Sequence, residues 1–263
     1  MTAGTRQRRQ TILTEAYQRG HVTVRDLAER CDCSEATVRR DLRALAEAGQ
    51  LKLTHGGAYL PRSASYAFRS KAMRNVDAKR AIGRKAAELA RDGDQVFLDS
   101  GTTCLQLARF CRAREGLSVI VNSVRAAEEL DAPGLDVILI GGQYRPDRMD
   151  AVGPIATAAL DNLRGYVAFI GTDGLGMDFG PSASDIESAE VYGLAVRNAR
   201  EAVLLADASK FACPSLYRIC PWDAIGRVVT DRPPQPEWSD FFTEREIEVI
   251  LPTPTEAAEP VST

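Results

Sequence analysis

Through residue 48 the apolar positions recur with helical spacing. They then alternate briefly, and from residue 77 onward helical stripes and short apolar runs take turns. Ile12, Leu13, Ala16 and Tyr17 form one stripe over residues 10–19, which stops at Gly20. Thr23 caps a second helix over 24–30, with Asp26 three positions on as in a capping box. Ser34 caps a third, whose Val38, Leu42 and Leu45 lie at spacings of four and three and so share one face. Gly49 stands where a helix stops. Leu51 and Leu53 then alternate with Lys52 and Thr54 as far as His55-Gly56-Gly57-Ala58, which predicts strand, tight turn, strand.

In the remainder, helices are expected over 77–91, 103–112, 124–130, 155–163 and 184–199. Strands are expected over 95–98, 117–121, 135–140, 166–171, 202–206, 227–230 and 247–251. Strand-helix units with nearly continuous apolar strands predict an α/β fold, a mostly parallel sheet covered on both faces. The expected organisation is a small head over 1–60, a linker over 61–75, an α/β body over 76–251 and a disordered tail over 252–263. The linker expectation rests on its small and polar residues after Pro61, and the tail has several prolines and no large apolar side chain.

Charge sharpens this division. Residues 1–74 carry 14 Lys and Arg against 7 Asp and Glu, whereas the rest carries 19 against 29, although the whole chain nets only −3. A basic head on an acidic body predicts that the head alone meets phosphates. No apolar run is long enough to cross a membrane and the N-terminus has no signal-peptide pattern, so a cytoplasmic protein is expected. The six cysteines show no paired ligand spacing and there are only two histidines, so neither a zinc site nor a cofactor is expected.

In the third helix, Arg39, Arg40 and Arg43 fall on or beside the face opposite the apolar one. Two short helices separated by the turn at Cys31-Asp32-Cys33, followed by a small β-wing, match a helix-turn-helix that grips double-stranded DNA. A purely structural three-helix domain is the bland alternative. The string Ser34-x-x-Thr37-Val38-Arg39-Arg40-Asp41-Leu42, with Leu45, Gly49, Leu51 and His55-Gly56-Gly57-Ala58, resembles the DeoR family of bacterial transcriptional regulators. One departure is Lys52-Leu53-Thr54, where many members carry an arginine and a valine. The candidate DNA-contacting residues are Ser34, Glu35, Thr37, Arg39, Arg40, Arg43, His55 and Gly56.

In doubly wound sheets the ligand crevice lies at the C-terminal strand ends. Asp99-Ser100-Gly101-Thr102-Thr103 leads from strand to helix there, and its small residues, hydroxyls and helix start suit an anion, most naturally a phosphate. Taken alone, this is also an ordinary capped turn. Other expected strand ends are Asn122-Ser123, Gly141-Gly142, Gly171-Thr172-Asp173-Gly174, Asp207-Ala208-Ser209-Lys210-Phe211 and Thr230-Asp231. Together they predict a pocket for a small, polar, phosphorylated ligand.

These loops resemble the DeoR-type sensor domain through Val96 to Thr103, Ile140-Gly141-Gly142-Gln143-Tyr144, Val152-Gly153-Pro154 and Ala206-Asp207-x-Ser209-Lys210-Phe211. The resemblance implies a winged helix-turn-helix joined to a Rossmann-like sensor of the ribose-5-phosphate isomerase, glucosamine-6-phosphate deaminase and CoA transferase type. It also implies a sugar-phosphate effector that releases DNA. Phosphate would lie at Ser100 to Thr103, with Asp99, Asn122 and Lys210 around the sugar, and Ser123, Gly141, Gly142, Asp173 and Gly174 complete the candidate rim. Many members place a lysine four residues after a glutamate on a later helix. Here Ser188 and Tyr192 stand at those positions, while Glu187 and Glu190 read equally well as solvated charges.

An isomerase or deaminase carrying a DNA-binding head is the alternative, with Asp99, Asp173 or Asp207 as its base. The missing Glu and Lys pair and the head itself argue for a regulator that is not an enzyme. The sequence thus predicts a ligand-responsive repressor of carbohydrate genes acting as a homo-oligomer, since paired heads read paired half-sites.

Overall fold

In the computed structural model, which describes residues 3–59 and 64–253, the chain divides into units spanning Met1–Arg74 and Asn75–Thr263. The first unit contains α1 (Ala3–Arg19), β1 (His21–Thr23), α2 (Val24–Arg30), α3 (Glu35–Glu47), β2 (Lys52–Thr54), β3 (Gly57–Tyr59) and α4 (Ala64–Met73). Both predicted caps form. Thr23 accepts from the Asp26 amide and Ser34 from the Thr37 amide, each at 3.2 Å. Ile12, Leu27, Val38, Leu42, Leu45 and Leu51 make the core beneath them.

Two features of this unit go beyond the pattern. The hairpin of β2 and β3 gains a third strand, β1, giving the order β1-β3-β2 with His21 opposite Tyr59. A Cβ on Gly57 would run into the Val22 carbonyl oxygen, so only glycine lets β1 approach this closely. The stretch expected as linker is instead helical over Ala64–Met73, with Ser70 buried and Met73 packed against the core. Leu60 to Ser63 and most of the expected disordered tail, 254–263, lie outside the described residues.

The second unit begins with α5 (Val76–Ala87), β4 (Gln95–Leu98), α6 (Thr102–Cys111), β5 (Ser118–Val121), α7 (Val124–Glu129) and β6 (Asp136–Leu139). A hairpin of β7 (Gln143–Arg145) and β8 (Asp150–Val152) leads into α8 (Pro154–Leu160) and β9 (Val167–Gly171). Then come β10 (Gly174–Gly176), β11 (Gly180–Ala183), α9 (Ile186–Asn198), β12 (Glu201–Leu205), β13 (Tyr217–Arg218), β14 (Arg227–Val229), α10 (Pro236–Glu244) and β15 (Glu248–Ile250).

All seven predicted strands lie in one sheet of order β15-β14-β12-β9-β4-β5-β6, and every pairing in it is parallel. Alternate residues point to opposite faces. Val96, Leu98, Val119, Phe169 and Leu205 pack with Ile82 of α5 and Leu107 of α6. Phe97, Ile120, Ala168, Ile170 and Leu204 pack with Leu160 of α8, Val191 of α9 and Phe242 of α10. Both faces are therefore covered, which is why the strands read as unbroken apolar runs.

The chain leaves β4 for β5 and β6 on one side, then returns to place β9 on the other. The loops after β4 and β9 thus flank the switch point of the sheet, where such folds open a crevice. The antiparallel elements β7-β8 and β10-β11-β13 have no counterpart in the expected pattern. They are two to four residues long and rich in glycine or charge, so no apolar alternation marks them. No helix among the described residues is long and apolar enough to cross a membrane.

Candidate nucleic-acid interface and ligand site

On the head, α3 presents its polar face outward. Arg39, Arg40 and Arg43 are exposed while Val38, Leu42 and Leu45 are buried. Arg39 Nη2 is held by Glu35 at 2.6 Å, one turn earlier. Arg40 and Arg43 have no ion pair among the described residues, so their guanidinium groups are uncommitted. Thr37 is half-buried and its hydroxyl lies 2.9 Å from that of Ser34. His55 and Gly56 form the exposed tip of the wing, and the Gly56 carbonyl accepts from the Val24 amide at 2.8 Å.

Asp41 is the one side chain of α3 whose charge points inward. It is 2% exposed and accepts from Arg8 Nε at 2.6 Å and Arg9 Nε at 2.8 Å. Two cations of α1 thereby fix the polar face of α3. Their role is invisible to a helix reading that starts at residue 10, because α1 begins at Ala3.

In the second unit, Asp99 directly follows β4 and is 1% exposed. Its Oδ1 accepts from the Gly101 amide at 2.7 Å and its Oδ2 from the Gly171 amide at 2.6 Å. This carboxylate therefore staples together the two loops of the switch point. Burial nevertheless raises its pKa, against the pull of those amides. Gly101 precedes α6 without a side-chain cap. The first amides of α6, at Thr102 to Cys104, have no partner among the described residues, as is usual at a helix start. The hydroxyls of Thr102 and Thr103 make no hydrogen bond among the described residues. Amides and helix dipole together favour an anion here.

Ser100 is committed elsewhere. Its hydroxyl donates to Asp150 Oδ2 at 2.8 Å and lies 2.7 Å from the Tyr192 hydroxyl. With the Ser100 proton directed at Asp150, Tyr192 is the donor of the second bond. Asp150 is fully buried and gripped at both oxygens by Arg145, through Nε and Nη2 at 2.8 Å each. Arg145 also reaches Asp185 at 2.8 Å, Glu187 at 3.2 Å and Ser188 at 3.0 Å, and Arg148 pairs with Asp185. Burial opposes ionisation of Asp185, but Arg145, the Ser188 amide and Arg148 outweigh it and bring its pKa down to about 2. The Tyr192 hydroxyl is pushed well above its ordinary range by burial and by the nearby Asp99 charge.

The other expected rim residues divide by task. Asn122 is fully buried, donates to the Ala151 carbonyl at 3.0 Å and leaves Oδ1 without a partner among the described residues. Ser123 caps α7 by accepting from the Ala126 amide. A Cβ at Gly142 would lie 2.7 Å from the Val152 carbonyl oxygen, and one at Gly174 would collide with that of Cys213, so packing alone accounts for both glycines. Gly141 has open space around it. Asp173 accepts from the Ser184 amide at 2.8 Å. Lys210 is half-buried in the one-turn helix Ala208–Ala212, with no partner for its ammonium among the described residues.

Arg145, Arg148, Asp150 and Asp185 escaped the sequence reading. The only trace was a run of charges, Arg145-Pro-Asp-Arg148-Met-Asp150, after the Gly-Gly loop, and such runs ordinarily read as solvated surface. Glu187, which could equally read as a solvated charge, is paired with Arg145 while staying partly exposed.

The family model of the DeoR C terminal sensor domain matches residues 74–232, and that of the DeoR-like helix-turn-helix domain matches residues 8–64. The chain belongs to the DeoR family. Its head is thus a DNA-binding winged helix-turn-helix and its body the DeoR sensor, and the protein is a DNA-binding transcriptional regulator. Among DeoR-family relatives, the HTH-type transcriptional repressor CsqR of Escherichia coli is 30% identical over 93% of this chain and 95% of that protein. The HTH-type transcriptional repressor GlcR of Bacillus subtilis is 30% identical over 91% and 93%. The lactose phosphotransferase system repressor of Lactococcus lactis is 32% identical over 86% and 90%. Ribose 5-phosphate isomerase A of Methanocaldococcus jannaschii aligns with a TM-score of 0.39 at 21% identity, over 52% of this chain and 55% of that one. That likeness is too slight to assign the sensor a reaction.

Proposed function

We propose that this regulator represses carbohydrate genes in the cytoplasm and leaves its operator when a phosphorylated sugar enters the sensor. The observation that carries the reading is the uncapped start of α6 at the switch point. There the free amides of Thr102 to Cys104 and two unengaged threonine hydroxyls converge beside the Asp99 staple. Lys210 supplies an uncommitted cation at another strand end of the same sheet. Ser100 serves as a support, since its proton is directed at Asp150. The repressor relatives favour the same direction of control.

On the head, Arg40 and Arg43 are the leading DNA contacts, with Thr37, Arg39 and the wing tip at His55 and Gly56 beside them. A homo-oligomer would place two such heads on paired half-sites. The test is fluorescence anisotropy on a duplex selected by the protein from a random pool, titrated with hexose and pentose phosphates and with the same sugars unphosphorylated. Phosphate esters should release the duplex and free sugars should not. Equal potency of the two sets would remove the anion site from the account.

A further inference from the structure

Asn75 is the first residue of the sensor unit and follows directly on Arg74, the last of the head unit. It stands immediately before α5 in the left-handed region, at φ 51 and ψ 42. Asparagine is among the few residues that tolerate this conformation. A residue in this place is ordinarily extended and turns its side chain onto the free amides of its own helix. Asn75 makes no such cap. Its Nδ2 instead donates to Asp207 Oδ1 at 2.9 Å and to Ser209 Oγ at 3.2 Å.

Those two partners open the segment that carries Lys210. Asp207 is 2% exposed, and its Oδ1 also accepts from the amide of Ser209 at 3.0 Å. At the other end of the segment the Phe211 carbonyl accepts from Trp238 Nε1 at 3.3 Å. The Phe211 ring stands edge-on to Trp238, 5.2 Å between centroids. The Lys210 turn is therefore anchored at one end in the aromatic core and at the other to the joint between the two units. The first helical bond of α5, from the Lys79 amide to the Asn75 carbonyl at 3.0 Å, needs nothing from the Asn75 side chain. The tether can open without unwinding the helix.

We infer that Asn75 is the coupling residue through which occupancy of the Asp207–Lys210 turn reaches the DNA-binding head, an inference that rests on the ligand-sensing reading above. An anion drawn to Lys210 shifts the turn and breaks the two hydrogen bonds that hold Asn75 left-handed. The residue then relaxes to the extended backbone usual before a helix, and the chain entering from Arg74 changes direction. Element-terminal residues that absorb such a φ change are the usual hinges. Coupling of this kind is reciprocal, so DNA on the head must in turn alter the Lys210 turn.

The test compares full-length wild type with Asn75→Gly, which keeps the left-handed backbone accessible and removes both side-chain bonds. Asn75→Ala serves as a second variant. In the ligand-free arm, hydrogen exchange of residues 207–212 is measured with and without the selected duplex. Wild type should change its exchange there on binding DNA and Asn75→Gly should not. In the second arm, ribose 5-phosphate, glucose 6-phosphate, fructose 1-phosphate and glycerol 3-phosphate are titrated. Binding is read by tryptophan fluorescence and duplex affinity by anisotropy. Asn75→Gly should bind the active probe and the bare duplex within about threefold of wild type, while the probe's effect on duplex affinity falls by about tenfold. Asn75→Ala, which favours the extended backbone, should bind the bare duplex more weakly than wild type and respond as little to the probe.

Exchange at 207–212 that ignores DNA in wild type, or a probe effect in Asn75→Gly equal to that of wild type, would overturn the role of Asn75. If no probe binds wild type but DNA still alters exchange at 207–212 through Asn75, the sugar-phosphate reading fails and the coupling stands.

Discussion

Replacing Asp185 by asparagine isolates the charge that organises the buried ion cluster around Arg145. The asparagine retains an oxygen for the Ser188 amide and for Arg145, and loses the oxygen that pairs with Arg148 together with the negative charge. In the folded protein this carboxyl titrates at about 2 against a reference of 3.8. At about 1.36 kcal/mol per pKa unit, the ionised form contributes roughly 2.5 kcal/mol near pH 7. The folded pKa is depressed, so that contribution is present above pH 4 and declines as pH falls toward 2. By linkage about half of it remains at pH 3. Both tryptophans, Trp222 and Trp238, lie in the sensor, so urea unfolding followed by tryptophan fluorescence reports this unit alone. Asp185→Asn should be less stable by roughly 2 kcal/mol between pH 5 and 8, with the gap narrowing at pH 3. A gap under about 0.5 kcal/mol at pH 7, or one that persists unchanged to pH 3, would refute the role assigned to this charge.

Arg40→Ala should weaken binding to the selected duplex by about 1–3 kcal/mol if it reads a base, or weaken all sequences alike if it grips phosphate. Arg39→Ala, whose guanidinium is already held by Glu35, should lose less; parallel titrations on selected and random duplexes separate these cases. Gly101→Val should leave DNA binding intact but abolish release by phosphate esters, because a Cβ there meets Asp99 Oδ1 at 2.8 Å and pries open the staple. Thr102→Ala should only shift the dose response, by roughly 1.5–3 kcal/mol for one hydrogen bond to a charged group. Lys210→Ala should retain operator binding and lose the response, and an unchanged response would mark Lys210 as a surface charge.

What was legible in the chain follows from how strongly each element is patterned. The seven sheet strands were readable because burial on both faces demands unbroken apolar runs such as Val96-Phe97-Leu98, and α3 because Val38, Leu42 and Leu45 keep helical period. β1 was not, since three residues gain strand character only from the close approach that Gly57 allows. The candidate ligand site was half legible. Its strand-end loops could be placed from the fold, but which side chains face a ligand depends on partners distant in sequence. Ser100 looked like a phosphate donor until Asp150, fifty residues away, was seen to take its proton. Asp99 looked like a sugar contact, yet both of its oxygens are bound by backbone amides.

The ion pairs of the head bear on how this regulator should respond to salt. Arg8 and Arg9 share Asp41, Arg19 and Arg30 share Glu15, Arg25 pairs with Glu29 and Arg39 with Glu35. A cation already matched to a carboxylate displaces few counterions when it meets a phosphate, and each one that does engage steepens the logarithmic salt dependence by about 0.9. The number of cations therefore overstates the electrostatic pull of the head. On the proposed interface, its grip on arbitrary DNA should rest mainly on cations without an ion pair among the described residues, such as Arg40, Arg43 and Lys52. The expected consequence is a shallow salt dependence on random duplex, which would leave more of the protein free to find its own sites.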